Sequence, residues 1–203
     1  MKLYGSSKTR ALRCMWMMEE CEFDYEHVYL DPKNGEHRQG EYRNLIKNGK
    51  VPYLVDDDGL ELFESSAICV YLAKKAGRTD LWPSNDLRQE VLAQQWLSFA
   101  LQELDPYLWI SFLHGQLLPE AHRVNEIVPY CLSYLQRSLR MVEKGLAERA
   151  FLLGEQMSVA DILVGHCLMW STAIDKALLS ENLRHYVKRL RERPAFRKTI
   201  ALP

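Results

Sequence analysis

The chain has 203 residues, of which 47% are apolar and 26% charged, and its net charge is -1. That is ordinary globular usage, which excludes disordered, collagen-like and low-complexity classes. A near-neutral balance gives no general attraction to nucleic acid or to an anionic membrane, so the expected partner is a small molecule or another protein. The five cysteines (Cys14, Cys21, Cys69, Cys131, Cys167) are odd in number and form no C-x-x-C pair. They read as small hydrophobes in a reducing compartment, not as a disulfide framework. Lys8, Arg10 and Arg13 interrupt the N-terminus before an apolar run develops, so no secretory leader is expected. The most apolar stretch, Ile162 to Trp170, is about half of what a membrane span requires. A soluble, cytoplasmic protein is expected.

In chain order, Leu3-Tyr4 reads as a short strand ending in the polar loop Gly5-Ser6-Ser7. Apolar residues at three- and four-residue spacing predict a helix from about Arg10 to Glu22. Alternation over 25–30 predicts a second strand, followed by turn chemistry at Asp31-Pro32-Lys33-Asn34-Gly35 and a weaker helix over 35–45. Val51–Val55 and Leu60–Phe63 flank Asp56-Asp57-Asp58-Gly59, the pattern of an antiparallel hairpin. Ser65 or Ser66 is expected to cap a helix running to Lys75. The order β-α-β-α-β-β-α makes residues 1–78 a compact α/β unit with a mixed sheet.

Residues 76–86 read as a linker, and everything beyond them as helical. Asp105-Pro106 should kink or restart the helix that opens near Asp86, because proline removes one backbone donor and crowds the carbonyl four residues back. Further helices are expected over 124–146 and 158–173. The second opens on Ser158-Val159-Ala160-Asp161, a capping-box arrangement that should bury Asp161 for folding and not for catalysis. Residues 184–198 carry seven basic residues and one acidic, which reads as a solvated C-terminal helix.

Several chemistries find no signature. The six histidines form no H-x-x-x-H pair, no Cys-His cluster has zinc spacing, and G-x-G-x-x-G, the phosphate loop and G-x-S-x-G are absent. What remains is a polar loop, Gly5 to Thr9, feeding a helix N-terminus, which is a spot that favours anions and also an ordinary cap. Val51-Pro52 adds a proline at the start of a strand, where a cis bond would expose the preceding main chain to an extended ligand. Glu64-Ser65-Ser66 opens another helix with free amides. A ligand bridging the three would be extended, peptide-like and carboxylated.

These segments carry a resemblance. Met1-Lys2-Leu3-Tyr4-Gly5, Asn48-Gly49-Lys50-Val51-Pro52-Tyr53-Leu54, Glu64-Ser65-Ser66-Ala67-Ile68, Ser158-Val159-Ala160-Asp161-Ile162 and Arg193-Pro194-Ala195-Phe196 resemble, in order and over essentially the whole chain, the cytosolic glutathione S-transferases of bacterial type. The resemblance implies a thioredoxin-like N-terminal domain (1–78), an all-helical C-terminal domain (86–203), glutathione as co-substrate, no metal and a homodimer. It implies that Val51, before a cis Pro52, pairs with the cysteinyl part of glutathione, and that Glu64 and Ser65 hold the γ-glutamyl end. Lys50 and His37 are candidates for the glycyl carboxylate, with a solvated lysine and an exposed helix histidine as the plainer alternatives.

In the delta- and theta-like classes a serine stands four residues before a helix arginine, and here Thr9 stands four before Arg13. Thr9 is therefore the first choice for the catalytic hydroxyl and Ser7 the second, while Tyr4 falls at the wrong spacing and is expected to pack. Ser7 and Ile46-Lys47 depart from a proline and an Asn-Pro common in the family. The Thr9 hydroxyl would donate to the glutathione sulfur and favour its thiolate. Tyr107, Trp109 and Phe112 are candidates for an apolar pocket taking a hydrophobic electrophile, and equally for core packing or a dimer contact. Alternative activities on the same scaffold are a glutathione-dependent isomerase or peroxidase and a non-enzymatic ligand- or protein-binding member.

Overall fold

The computed structural model describes residues 1–31, 34–46 and 48–203, so Pro32, Lys33 and Lys47, which belong to the turn and loop expected there, lie outside the described residues. By its contacts the chain divides into two units, Met1–Ser84 with Arg191–Pro203, and Asn85–Leu190. The first is α/β and the second all helical, the thioredoxin-like plus helical fold expected.

The first unit contains β1 (Lys2–Gly5), α1 (Ala11–Glu20), β2 (Glu26–Tyr29), the short α2 (Tyr42–Leu45), β3 (Tyr53–Val55), β4 (Glu61–Phe63) and α3 (Ser65–Lys75). The sheet order is β2-β1-β3-β4, with β1 parallel to β2 and antiparallel to β3, and β3 antiparallel to β4. Parallel β1 and β2 need a crossover, and α1 supplies it. Nine of the ten α1 residues are buried, so this helix is the core of the unit and not an amphipathic cover. Gly5 lets α1 begin so close to β1: its φ is +146°, and a Cβ there would lie 2.4 Å from the Ala11 Cβ.

Several boundaries differ from the periodicity reading. The helix expected over 35–45 is a 3-10 turn at Glu36–Arg38 and the single turn α2, separated by Gly40 at φ +55°. Val51 and Pro52 precede β3 instead of opening it, and the peptide bond between them is cis. Neither Ser65 nor Ser66 caps α3: Glu64 is the N-cap residue, makes no side-chain cap bond, and sits at φ 70°, ψ 112°.

The second unit contains α4 (Leu87–Phe99), α5 (Asp105–Phe112), α6 (Ile127–Leu146), α7 (Val159–Ile174) and α8 (Glu181–Arg191). Asp86 caps α4 by accepting the Arg88 and Gln89 amides. The break expected at Pro106 is a π-helical turn, Ala100–Leu104, after which α5 restarts with the proline in its first turn, where the missing donor costs nothing. Asp161 in α7 is fully buried, as expected, and accepts from the Ser158 N–H and hydroxyl (both 2.8 Å), the Leu152 N–H (2.9 Å) and the Tyr186 hydroxyl (2.6 Å). Burial pushes its pKa up against those four donors.

The basic C-terminal helix expected over 184–198 is two helices, because Pro194 cannot continue α8. It starts α9 (Pro194–Ala201), which packs on α1 within the first unit. Among the described residues no helix is long and apolar enough to cross a membrane.

Candidate active site

The β1–α1 loop is held from below by its own first residue. The Gly5 carbonyl accepts the Leu30 N–H (3.2 Å) and lies 3.0 Å from His27 Nε2. The Ser6 carbonyl then accepts both the Thr9 N–H (3.0 Å) and the Thr9 hydroxyl (2.8 Å), and Thr9 Oγ1 in turn accepts the Ala11 N–H (3.1 Å). Thr9 thus bridges the loop to the first turn of α1. The Ser7 hydroxyl points elsewhere and donates to the Leu202 carbonyl at 3.0 Å. Tyr4 packs, as expected, in a cluster with Tyr42 and Tyr53, edge to face at 6.1 and 6.5 Å.

Val51 is half-buried beside this loop: a Cβ on Gly5 would sit 3.4 Å from the Val51 Cβ. Its N–H and carbonyl find no partner among the described residues. A main-chain donor and acceptor left open just before a strand is what an extended peptide can pair with. Pro52 behind it is buried.

The head of α3 is tied to α1. Arg13, fully buried, donates from Nη1 to Ser65 Oγ at 3.1 Å, and Cys14 Sγ donates to the Ser65 carbonyl at 3.7 Å. Ser65 is buried and Glu64 exposed, with Glu64 held at a positive φ that a non-glycine residue adopts only at a cost of about 1–3 kcal/mol. The first-turn amides of α3 receive no side-chain cap, which leaves donors for an anion.

His37 is 6% exposed, so the exposed-residue alternative does not hold, and its Nδ1 is buried with no hydrogen-bond partner among the described residues. Burial, helped by the Arg38 charge, lowers its pKa and leaves the imidazole neutral at pH 7. Lys50 is exposed, and its N–H donates to Asn48 Oδ1 at 3.2 Å.

Tyr107, Trp109 and Phe112 all lie on α5 in the helical unit. Tyr107 stacks on Tyr134 (5.4 Å between centroids), while Phe112 packs between Trp109 (6.2 Å) and Trp170 (6.1 Å). Trp109 keeps 36% of its surface in water. A separate cavity of about 410 Å³ in the same unit is walled by Leu92, Trp96, Phe99, Met141 and Leu152, and none of the three aromatics lines it. Among the described residues no group of three His, Cys, Asp or Glu is placed to hold a metal ion.

The sequence reading missed two participants. Arg13 served only as a landmark, although a lone cation between Leu12 and Cys14 on an otherwise apolar helix face was the signal that it needs a buried partner. The contact of Ser7 with the chain's last residues had no local signal.

Comparison with known proteins identifies the family. The chain matches the models of the glutathione S-transferase N-terminal domain over residues 1–74 and C-terminal domain over 107–194. It is 31% identical to the disulfide-bond oxidoreductase YfcG of Escherichia coli, over 95% of this chain and 91% of that protein. It is 30% identical to glutathione S-transferase 1 of Zea mays, over 100% and 96%. Among solved structures, the glutathione transferase URE2P6 of Phanerochaete chrysosporium in complex with oxidized glutathione superposes with a TM-score of 0.84 at 26% identity, over 98% of this chain and 94% of the other. The chain belongs to the glutathione S-transferase family.

Proposed function

We propose that the protein is a cytoplasmic glutathione S-transferase with a delta/theta-like hydroxyl site, in which residues 1–78 bind glutathione and the helices from residue 86 to 190 take the electrophile, while residues 191–203, expected with them, pack in the first unit. The observation that carries this reading is the open main chain of Val51 beside the Gly5–Thr9 loop, with the uncapped head of α3 tied to the same helix through Arg13. Val51, before Pro52, pairs with the cysteinyl backbone. Glu64 and Ser65 take the γ-glutamyl end, with the Glu64 carboxylate facing its ammonium. His37 offers an orphaned ring nitrogen and Lys50 a charge to the glycyl carboxylate.

Thr9 acts as a donor, not as a base. Turning its hydroxyl from the Ser6 carbonyl to the incoming sulfur leaves that carbonyl still satisfied by the Thr9 N–H, so the exchange is cheap. A hydrogen bond to a charged acceptor is worth about 1.5–3 kcal/mol, or roughly one to two pKa units, enough to make the thiolate abundant near pH 7. The thiolate then attacks the electrophilic carbon of an apolar substrate, for which Tyr107, Trp109 and Phe112 supply aromatic surface.

A homodimer belongs to the reading. Leu87 and Val91, four residues apart on α4, keep 78% and 58% of their surface in water, an apolar pair that a second copy would cover. A second activity is favoured by the likeness to a disulfide-bond oxidoreductase: the same thiolate can attack a disulfide or a peroxide. Calorimetric titration with glutathione, followed by parallel assays with an aromatic electrophile, a peroxide and a disulfide, tests the proposal. Tight binding with conjugation supports it, binding with turnover of only the peroxide or disulfide favours the second activity, and absence of binding removes both and leaves a non-enzymatic member.

A further inference from the structure

The last helix runs antiparallel along α1. At its start, Arg193 grips Glu20, at the far end of α1, with Nε to Oε1 at 2.6 Å and Nη2 to Oε2 at 2.7 Å. Glu20 also accepts the Trp16 indole N–H at 2.9 Å, and that indole meets the Phe196 ring edge to face at 4.8 Å. A two-bond guanidinium–carboxylate pair on a mostly buried glutamate fixes direction as well as position. With α9 so aligned, the residues after it arrive at the opposite end of α1, where the β1–α1 loop lies.

There the chain makes two bonds to one residue. The Ser7 N–H donates to the Pro203 carbonyl at 3.2 Å and the Ser7 hydroxyl donates to the Leu202 carbonyl at 3.0 Å. Gly5, at the loop's base, is held by Leu30 and His27; beyond it, the other bonds of residues 6–9 among the described residues are internal or run to the helix that follows: Lys8 N–H to Ser6 Oγ at 3.2 Å, Thr9 to Ser6, Ala11 to Thr9. Ser7 is therefore the point at which the loop's tip is fixed from outside. Its hydroxyl has one proton to donate, and it donates that proton to the Leu202 carbonyl.

We propose that Leu202 and Pro203 brace the β1–α1 loop through Ser7, which makes Ser7 a positioning residue for glutathione and not a donor to its sulfur. This rests on the proposed glutathione site for its consequence, although the brace itself does not depend on a ligand. An unbraced loop must be ordered when glutathione arrives, and that ordering is taken from the binding free energy. Thr9, two residues on, keeps the sulfur-facing role only if the loop holds it there.

The test uses the full chain, its Ser7→Ala and Ser7→Thr variants, deletion of Leu202 and Pro203, and the deletion combined with Ser7→Ala. Amide hydrogen exchange without ligand is expected to speed up at residues 7–12 in the Ser7→Ala and deletion forms and to stay near the parent rate in Ser7→Thr. With glutathione, KM should rise about three- to tenfold in either form, the size of one or two lost hydrogen bonds, with a smaller effect on kcat. The combined variant should be no worse than the poorer single one, because both changes remove the same contact. The titration midpoint of the bound sulfur should stay where the parent has it.

Unchanged exchange in the deletion form would overturn the brace. So would multiplied effects in the combined variant, or a sulfur midpoint shifted upward by Ser7→Ala. A parent protein that binds no glutathione would remove the reading of the site, while the exchange measurements would still decide the brace.

Discussion

Arg13 Nη1 donates to Ser65 Oγ across 3.1 Å, with both residues buried and 52 positions apart. The bond joins the helix that follows Thr9 to the first residue of α3, so two separate pieces of the proposed glutathione site share one anchor. A guanidinium out of water needs acceptors, and removing one is costly. Ser65→Ala should lower stability by about 1–3 kcal/mol and weaken glutathione binding in the same variant. Thermal unfolding and calorimetric titration check this. Affinity lost at an unchanged Tm would mean that Ser65 touches the ligand and frames nothing.

Thr9 carries the sharpest chemical expectation. Thr9→Val removes the hydroxyl with little change of shape, so the bound sulfur should titrate roughly one to two units higher. At saturating glutathione, the acid limb of the kcat/KM profile for the electrophile would move up by the same amount, because a thiolate that loses its donor holds its proton to higher pH. Thr9→Ser should retain most of the activity. The Ala11 N–H loses its acceptor in Thr9→Val, which costs about 1 kcal/mol of stability. Spectroscopic titration of bound glutathione is the decisive measurement, and a midpoint identical in parent and variant would sink the role.

Glu64 is a strained residue at φ 70°. Glycine adopts positive φ without a Cβ clash, so Glu64→Gly should raise the unfolding midpoint in denaturant, by about 1 kcal/mol of stability. The same change deletes the carboxylate proposed to face the γ-glutamyl ammonium, and glutathione affinity should fall by about tenfold, the usual cost of one charged contact. Stability gained with affinity lost is the signature of strain kept for binding. A variant that is less stable than the parent would show that the side chain is held for packing.

What the sequence shows is what neighbouring residues decide. Ser158 and Asp161 stand three apart, and their capping arrangement was readable together with its burial. The Asp56–Gly59 turn and the bond before Pro52 were equally local. Three pairings that assemble the candidate site are not: Arg13 with Ser65, Arg193 with Glu20, and Ser7 with Leu202 lie 52, 173 and 195 positions apart. Side-chain chemistry nominates donors and acceptors, but only the packing of α9 on α1 tells which of them meet. The Arg184–Lys198 stretch fails differently: Pro194 was visible, but helical spacing on both sides of it masked the break. At residues 35–45 a glycine with positive φ ended a helix whose pattern was weak to begin with.

Asp56 gives the protein an acid-sensitive joint away from the ligand. Its carboxylate is buried at the start of the hairpin turn, where it accepts from the Tyr71 hydroxyl, from Lys75 Nζ at 2.5 Å and from the Asp57 N–H at 2.7 Å. Burial alone would raise its pKa, but Lys75, Tyr71 and the Asp57 amide outweigh it and hold the group at about 2. A carboxyl depressed in the folded chain stabilises it fully above the unfolded value of about 3.9, and that share is lost as pH falls from there through 2. Lys75 keeps a third of its side chain in water, so screening holds the contribution to about 1–2 kcal/mol. Asp56→Asn should therefore unfold more easily in urea at pH 7 and lose less stability than the parent between pH 4 and pH 2. Equal losses in the two proteins over that window would mean that the carboxylate does not tie the hairpin to α3.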